Sequence, residues 1–133
     1  MTEEQIALAK RAVACKGWRW MPGMRTTEGM RTIHDPRLWP DRPCAIREGT
    51  WVDTAVPRPL GDHLPDLTDP ATLGCLLALV REAHRCSEAH VYYATVSRFW
   101  VARWGRNGLG QWTVDAHTEA EALVAALEAA PVQ

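Results

Sequence analysis

Only one phenylalanine and two tyrosines stand among the 133 residues, and lysine supplies just two of the fifteen basic side chains. No apolar run approaches the roughly 20 residues that a membrane-spanning helix needs. Glu3 and Glu4 occupy the place where a secretory leader would carry basic residues ahead of an apolar core. A cytoplasmic protein without a membrane partner is therefore expected. The four cysteines, Cys15, Cys44, Cys75 and Cys86, form no pair of CxxC motifs. Two of them fall in predicted helices among apolar neighbours, which points to reduced thiols.

Catalytic signatures are missing as well. Gly105-x-x-Gly108-x-Gly110 has glycines but neither the strand–loop–helix setting nor the Lys-Ser/Thr pair of a phosphate loop; a hairpin turn is the plainer reading. His34-Asp35 has the form of a base oriented by a carboxylate, yet no nucleophile can be assigned beside it. Cys15 next to Lys16 invites a depressed thiol pKa, against which stands a buried structural thiol. His84-x-Cys86-x3-His90, with His117 as a fourth donor, offers nitrogen and sulfur of the kind zinc accepts, although the spacing is not that of a finger and polar residues at a helix end account for it. No enzyme and no cofactor are expected from these residues; a small metal-dependent enzyme stays as a third reading.

Patterned secondary structure is what the chain does have. The strongest stretch is Leu64–Cys86. Asp69 or Thr68 is an N-cap, accepting from an orphan backbone N–H, and Pro70 suits the first helical position. Leu73, Leu76, Leu77 and Val80 fall at i, i+3, i+4 and i+7, one face of a helix. Gly74, inside the pattern, implies close approach of another backbone. Thr2-x-x-Gln5 and Thr118-x-x-Glu121 are capping boxes that open helices at either end of the chain. Small residues on the first helix suggest that it lies on a sheet, and Gly17 is the expected left-handed cap. Met24–Thr26 and Met30–His34 pair as a hairpin around Thr27-Glu28-Gly29. From 35 to 62 the prolines forbid a long helix, leaving an irregular insertion with a short strand at Thr50–Asp53. His90–Val96, Arg98–Trp104 and Gln111–Asp115 read as an antiparallel meander of β-formers. Within it Trp100, Ala102 and Trp104 share one face, while Phe99, Val101 and Arg103 share the other. Both faces look apolar, as in a central strand with helices on it. The expectation is one α+β domain over 1–133, with three helices on a mostly antiparallel sheet in the order α-β-β-(irregular)-α-β-β-β-α.

Net charge is −1 but unevenly spread: nine basic and three acidic residues lie from Lys10 to Arg47, seven acidic and three basic from Glu48 to His90. Such asymmetry marks a nucleic-acid or acidic-partner surface, unless the two segments pack side by side and neutralise each other.

The strings CKGWRWMPGM at 15–24, DLTDPATLGCLLALVREA at 66–83 and TEAEALVAALEAAP at 118–131 resemble stretches of small uncharacterised proteins encoded by phages and prophages. The layout also resembles the phage α-β-α sandwich domain: a first helix ending in Gly17-Trp18, a central amphipathic helix, strands carrying Trp100-x-Ala102 and Trp112-Thr113-Val114, and a last alanine-rich helix. The resemblance covers about a third of the chain and leaves 25–63 unmatched. The family brings no established activity with it; together with the small size and the lack of a catalytic constellation, the resemblance points to a non-enzymatic phage accessory protein that binds a host or phage macromolecule, a protein first of all, with inhibition of a bacterial defence system as one concrete form. The alternative is a nucleic-acid-binding regulator that uses the basic 10–47 segment. The candidate contact residues are Arg31, His34, Arg37, Trp39, Arg42, Arg47 and Trp51, because Trp and Arg dominate binding hot spots and the intervening prolines limit the entropy of the loop. The plainer role for Trp39 and Trp51 is to cover the sheet.

Overall fold

The computed structural model describes residues 1–61, 63–105 and 111–131. Its elements are α1 (Glu3–Ala14), β1 (Met30–Ile33), β2 (Cys44–Arg47), a 3-10 turn (Val52–Thr54), α2 (Pro70–Ala83), β3 (His90–Ala94), β4 (Phe99–Gly105), β5 (Gln111–Ala116) and α3 (Glu119–Glu128). The class is α+β in the expected order, with every strand pair antiparallel in a two-stranded sheet, β1-β2, and a three-stranded sheet, β3-β4-β5. No helix among the described residues is long and apolar enough to cross a membrane.

Helix starts follow local chemistry. Thr2 Oγ1 accepts from the Gln5 backbone N–H at 3.1 Å while the Gln5 side chain accepts from Thr2 N–H, a closed capping box. Asp69 caps α2 with Pro70 directly behind it. Thr118 caps α3, but Glu121 accepts from the N–H of His117, one residue ahead of the cap. The end of α2 is less ordinary. Arg85 takes a left-handed conformation (φ 52°), with its N–H bonded to Glu82 O and that of Cys86 bonded to Arg81 O, a Schellman ending without glycine.

The molecule is organised around α3 rather than α2. Ala120, Ala122, Leu123, Val124, Ala126 and Leu127 are buried, so the helix is apolar nearly all round, as an internal helix must be. It touches α1, α2 and all three strands of the larger sheet. The small residues of α1, Ala9 and Ala12 with Leu8, serve a close approach to α3 and not to the sheet. Paired residues of neighbouring strands share a face. Val91, Ala102 and Val114 therefore point with Trp104 into the helical core, and Tyr93, Trp100 and Ala116 lie on the same side. The other side carries His90, Tyr92, Phe99, Arg103 and Asp115 around a buried Val101. The described helices thus cover one face of β4 only, not both.

Two glycine expectations are corrected. Gly17 is not left-handed. A Cβ there would stand 3.0 Å from Leu127 Cδ1 and 3.2 Å from Ala83 Cβ, so glycine is required by the closeness of the ends of α2 and α3. Gly74, expected at a close approach, faces open space with no atom within 4 Å of a built Cβ. Gly74→Ala should therefore stabilise the protein by up to about 1 kcal/mol through helix propensity, and Gly17→Ala should destabilise it by about 1–2 kcal/mol through overpacking. Paired urea titrations measure both; equal signs would refute the assignment.

The hairpin forms around Gly29 (φ 81°): Thr26 N–H bonds to Met30 O at 2.8 Å, and Thr32 N–H bonds to Met24 O at 2.7 Å. The ladder partner on the far side of β1 is β2, which lies in the segment expected to be irregular. Its apolar run Cys44-Ala45-Ile46 is buried, although prolines flank it. The strand expected at Thr50–Asp53 is instead the 3-10 turn. The turn expected over 105–110 lies beyond Gly105 in residues outside the described ones.

Candidate functional site

Arg31 is the first candidate contact residue to change role. From β1 its guanidinium donates to Asp69 Oδ2 (2.8 Å), to Gly23 O (2.9 Å) and to Glu48 Oε1 (2.6 Å). The same Asp69 oxygen accepts from the backbone N–H and the hydroxyl of Thr72, whose Oγ1 accepts from Arg25 N–H. One hub thereby ties the hairpin and the end of β2 to the N-terminus of α2. Arg31 is a structural residue.

The basic 10–47 segment is largely neutralised from outside itself. Arg11 pairs with Glu128, Arg19 with Glu82, Arg25 with Glu48 and Asp66, Arg31 with Glu48 and Asp69, and Arg37 with Asp53 as well as Asp35. The charge asymmetry of the sequence is in good part the two sides of these pairs. Arg37, by its side-chain and backbone hydrogen bonds, holds the half-buried Asp35 carboxyl down at about 2. Asp35 is therefore engaged by Arg37, and the His34-Asp35 base pair of the sequence has no geometric support.

His34, Trp39 and Arg42 do come together. The Asp35 carbonyl accepts from the N–H of Leu38 and Trp39, so the chain curls back after His34. The Arg42 guanidinium then lies over the Trp39 ring, 4.7 Å from its centroid, a cation–π contact. These side chains line an open cleft of about 610 Å³. Arg19, Trp20 and Met21 line it too, and Leu60 with Pro22, Pro43 and Pro59 completes the apolar lining. Trp20 is steadied by an edge-on contact with Trp18 (centroids 5.5 Å apart, planes at 79°). Among the described residues Arg42 has no carboxylate within ion-pair distance, and no Asp or Glu lines the cleft. Its volume lies within the range of ligand-binding clefts.

Arg47 is exposed at the end of β2, outside the cleft. Trp51 caps the 3-10 turn and is 83% exposed, so it does not cover a sheet. Sequence reasoning missed Arg19 and Trp20 as cleft residues. Trp18-Arg19-Trp20 has the alternation of a strand, whereas the segment is a loop without a ladder.

A second hollow, of about 620 Å³, opens where the C-terminal ends of the three helices meet, around Cys15, Trp18 and Leu127. Its charges answer one another through the Arg11–Glu128 and Arg19–Glu82 pairs. Burial, with a smaller push from Glu128, raises the Cys15 thiol, contrary to an activated cysteine.

The metal-like residues are dispersed by the fold. His84 is buried, donates from Nε2 to Ala126 O (2.6 Å) and stacks on Trp104 at 4.5 Å. His90 is stacked on Tyr92 on the open face of the sheet, and His117 packs on Phe99. Among the described residues no three His, Cys, Asp or Glu side chains converge on a point that would hold a metal ion. Trp100 and Trp104 point to the helical side of the sheet, where they pack on the core and offer no open stacking face to a nucleic acid. No known protein family, curated protein or solved structure matches the chain.

Proposed function

We propose that this chain is a non-enzymatic accessory protein of the phage type, which works by gripping a partner protein in the cleft between Trp20 and Trp39. Inhibition of a bacterial defence component is one concrete form of that role. The observation that carries the reading is the convergence of His34, Trp39 and Arg42 with Arg19 and Trp20 around one open, partly apolar cleft. Tryptophan and arginine are the residues most enriched at binding hot spots, and here they sit among prolines that keep the walls stiff. Trp51, standing out beside the same segment, extends the surface available to a partner.

The nucleic-acid alternative draws on the charge of residues 10–47. A phosphate backbone is held by several cations at once, and Arg11, Arg19, Arg25, Arg31 and Arg37 already face carboxylates. A gel shift at low salt tests it: binding that falls steeply with added salt would favour that alternative over the protein partner.

The protein reading is tested by replacing Trp39 and Arg42 by alanine, with Arg37→Ala added in a second variant. Partner recovery from host lysate should be lost, while the melting temperature falls by only a few degrees, because none of the three lies in the buried core. Global unfolding would place them in the core, and undiminished capture by a folded variant would move the contact elsewhere.

A further inference from the structure

We infer that the cleft is made for a short acidic segment of the partner, with a carboxylate seated on Arg42 and an apolar side chain set against Trp20 and Leu60. This deepens the protein-binding reading above and rests on it. Arg42 is held differently from the arginines around it. Arg25, Arg31 and Arg37 each meet at least one carboxylate, whereas Arg42 meets the face of Trp39. A guanidinium laid over a ring keeps its N–H edge directed outward, a fork that matches a planar carboxylate with two parallel hydrogen bonds.

Complementarity extends beyond that one residue. Arg19, already paired with Glu82, and His34 share the lining, and among the described lining residues there is no carboxylate to repel an incoming acid. The apolar part lies alongside Arg42, in Met21, Leu60 and the prolines. A ligand that satisfies both must carry its negative charge next to an apolar group. A duplex or single-stranded nucleic acid is a poorer fit, since its charges repeat along the chain and the Arg42 guanidinium answers one of them. Pairing by strand addition is also a poorer fit here: β2 already bonds β1 on one side and Arg58, through Ala45, on the other. Side chains must therefore carry the recognition.

The test is selection of a random dodecapeptide display library on the immobilised full chain, followed by fluorescence anisotropy with the enriched peptides. Enriched sequences should place Asp or Glu beside an apolar residue. Their affinity should fall about tenfold or more with Arg42→Ala, by a similar factor with Trp39→Ala, and only partly less with Arg42→Lys, which keeps the charge and loses the fork. Moving from low to high salt should weaken binding severalfold through screening. Enrichment of neutral or basic peptides, acidic peptides that bind Arg42→Ala as well as the parent, or an oligothymidylate probe that displaces the peptides and itself needs Arg42 would each overturn the acidic-segment assignment. If non-acidic peptides still need Trp39, the protein-binding reading survives without it. If neither a peptide nor a lysate protein is held in a Trp39-dependent way, both fall.

Discussion

Leu123→Ala should destabilise the protein by about 2–5 kcal/mol, the range for removing a large buried aliphatic side chain and leaving a cavity. Leu123 is 1% exposed and sits near the middle of α3, the helix that contacts α1, α2 and the three-stranded sheet. Its neighbours Ala122, Val124 and Ala126 are small and already buried, so little side-chain volume is on hand to fill the gap. Against a total stability of roughly 5–15 kcal/mol for a typical domain, such a loss lowers the melting temperature by roughly ten degrees. Leu77→Ala is the comparison: it removes the same atoms from a half-buried place on α2 and should cost clearly less. Thermal and urea unfolding of the two variants decide the matter. If Leu77 proves the costlier, α2 and not α3 is the energetic centre.

Asp69→Ala should cost about 2–4 kcal/mol at neutral pH, more than an isolated cap is worth. Losing an N-cap accounts for about 0.5–2 kcal/mol. The remainder comes from Arg31, which is left with a partly buried charge and only Glu48 and the Gly23 carbonyl to answer it. The effect has a pH signature. Burial pushes the Asp69 carboxyl up, but the hydrogen bonds from Arg31 and Thr72 more than offset it, so the folded value lies below the ordinary one. The unfolded chain then binds a proton before the folded one does, and stability rises with pH across that interval. The contribution is complete above the unfolded value of about 4 and is lost as pH falls through the folded value. The gap between parent and Asp69→Ala should accordingly be constant from neutral pH to about pH 5 and close at more acid pH. Asp69→Asn, which keeps an oxygen for Thr72 N–H without the charge, should fall between the two at neutral pH. A gap that persists unchanged into acid would show that the Arg31 pair contributes nothing.

Features set by neighbours along the chain were legible in advance. Asp69-Pro70, Thr2-x-x-Gln5 and Thr118 are caps because a side-chain oxygen reaches an N–H a few residues on, and that geometry needs no distant partner. The 24–34 hairpin and the 90–115 meander were legible from turn residues and β-formers for the same reason. The α+β class followed from them, and the segment holding the cleft was recognisable by its Trp, Arg and Pro content.

Long-range contacts decided the rest. Sequence alone does not separate Arg31 from Arg42: both are arginines in one basic stretch. Arg31 and Asp69 stand 38 positions apart in the chain, and only folding shows that Arg31 meets a carboxylate while Arg42 meets a tryptophan ring. The close approach expected at Gly74 is found instead at Gly17, because closeness is a property of packed helices and not of a helical pattern. The prolines around β2 spoke for an irregular segment, yet Cys44, Ala45 and Ile46 are buried and the strand is paired with β1 and, through Ala45, with Arg58. Periodicity and capping are thus local properties that the sequence determines alone; which charges are answered, which face is covered and which tryptophan stands in a cleft depend on segments tens of residues apart, and tertiary packing decides them.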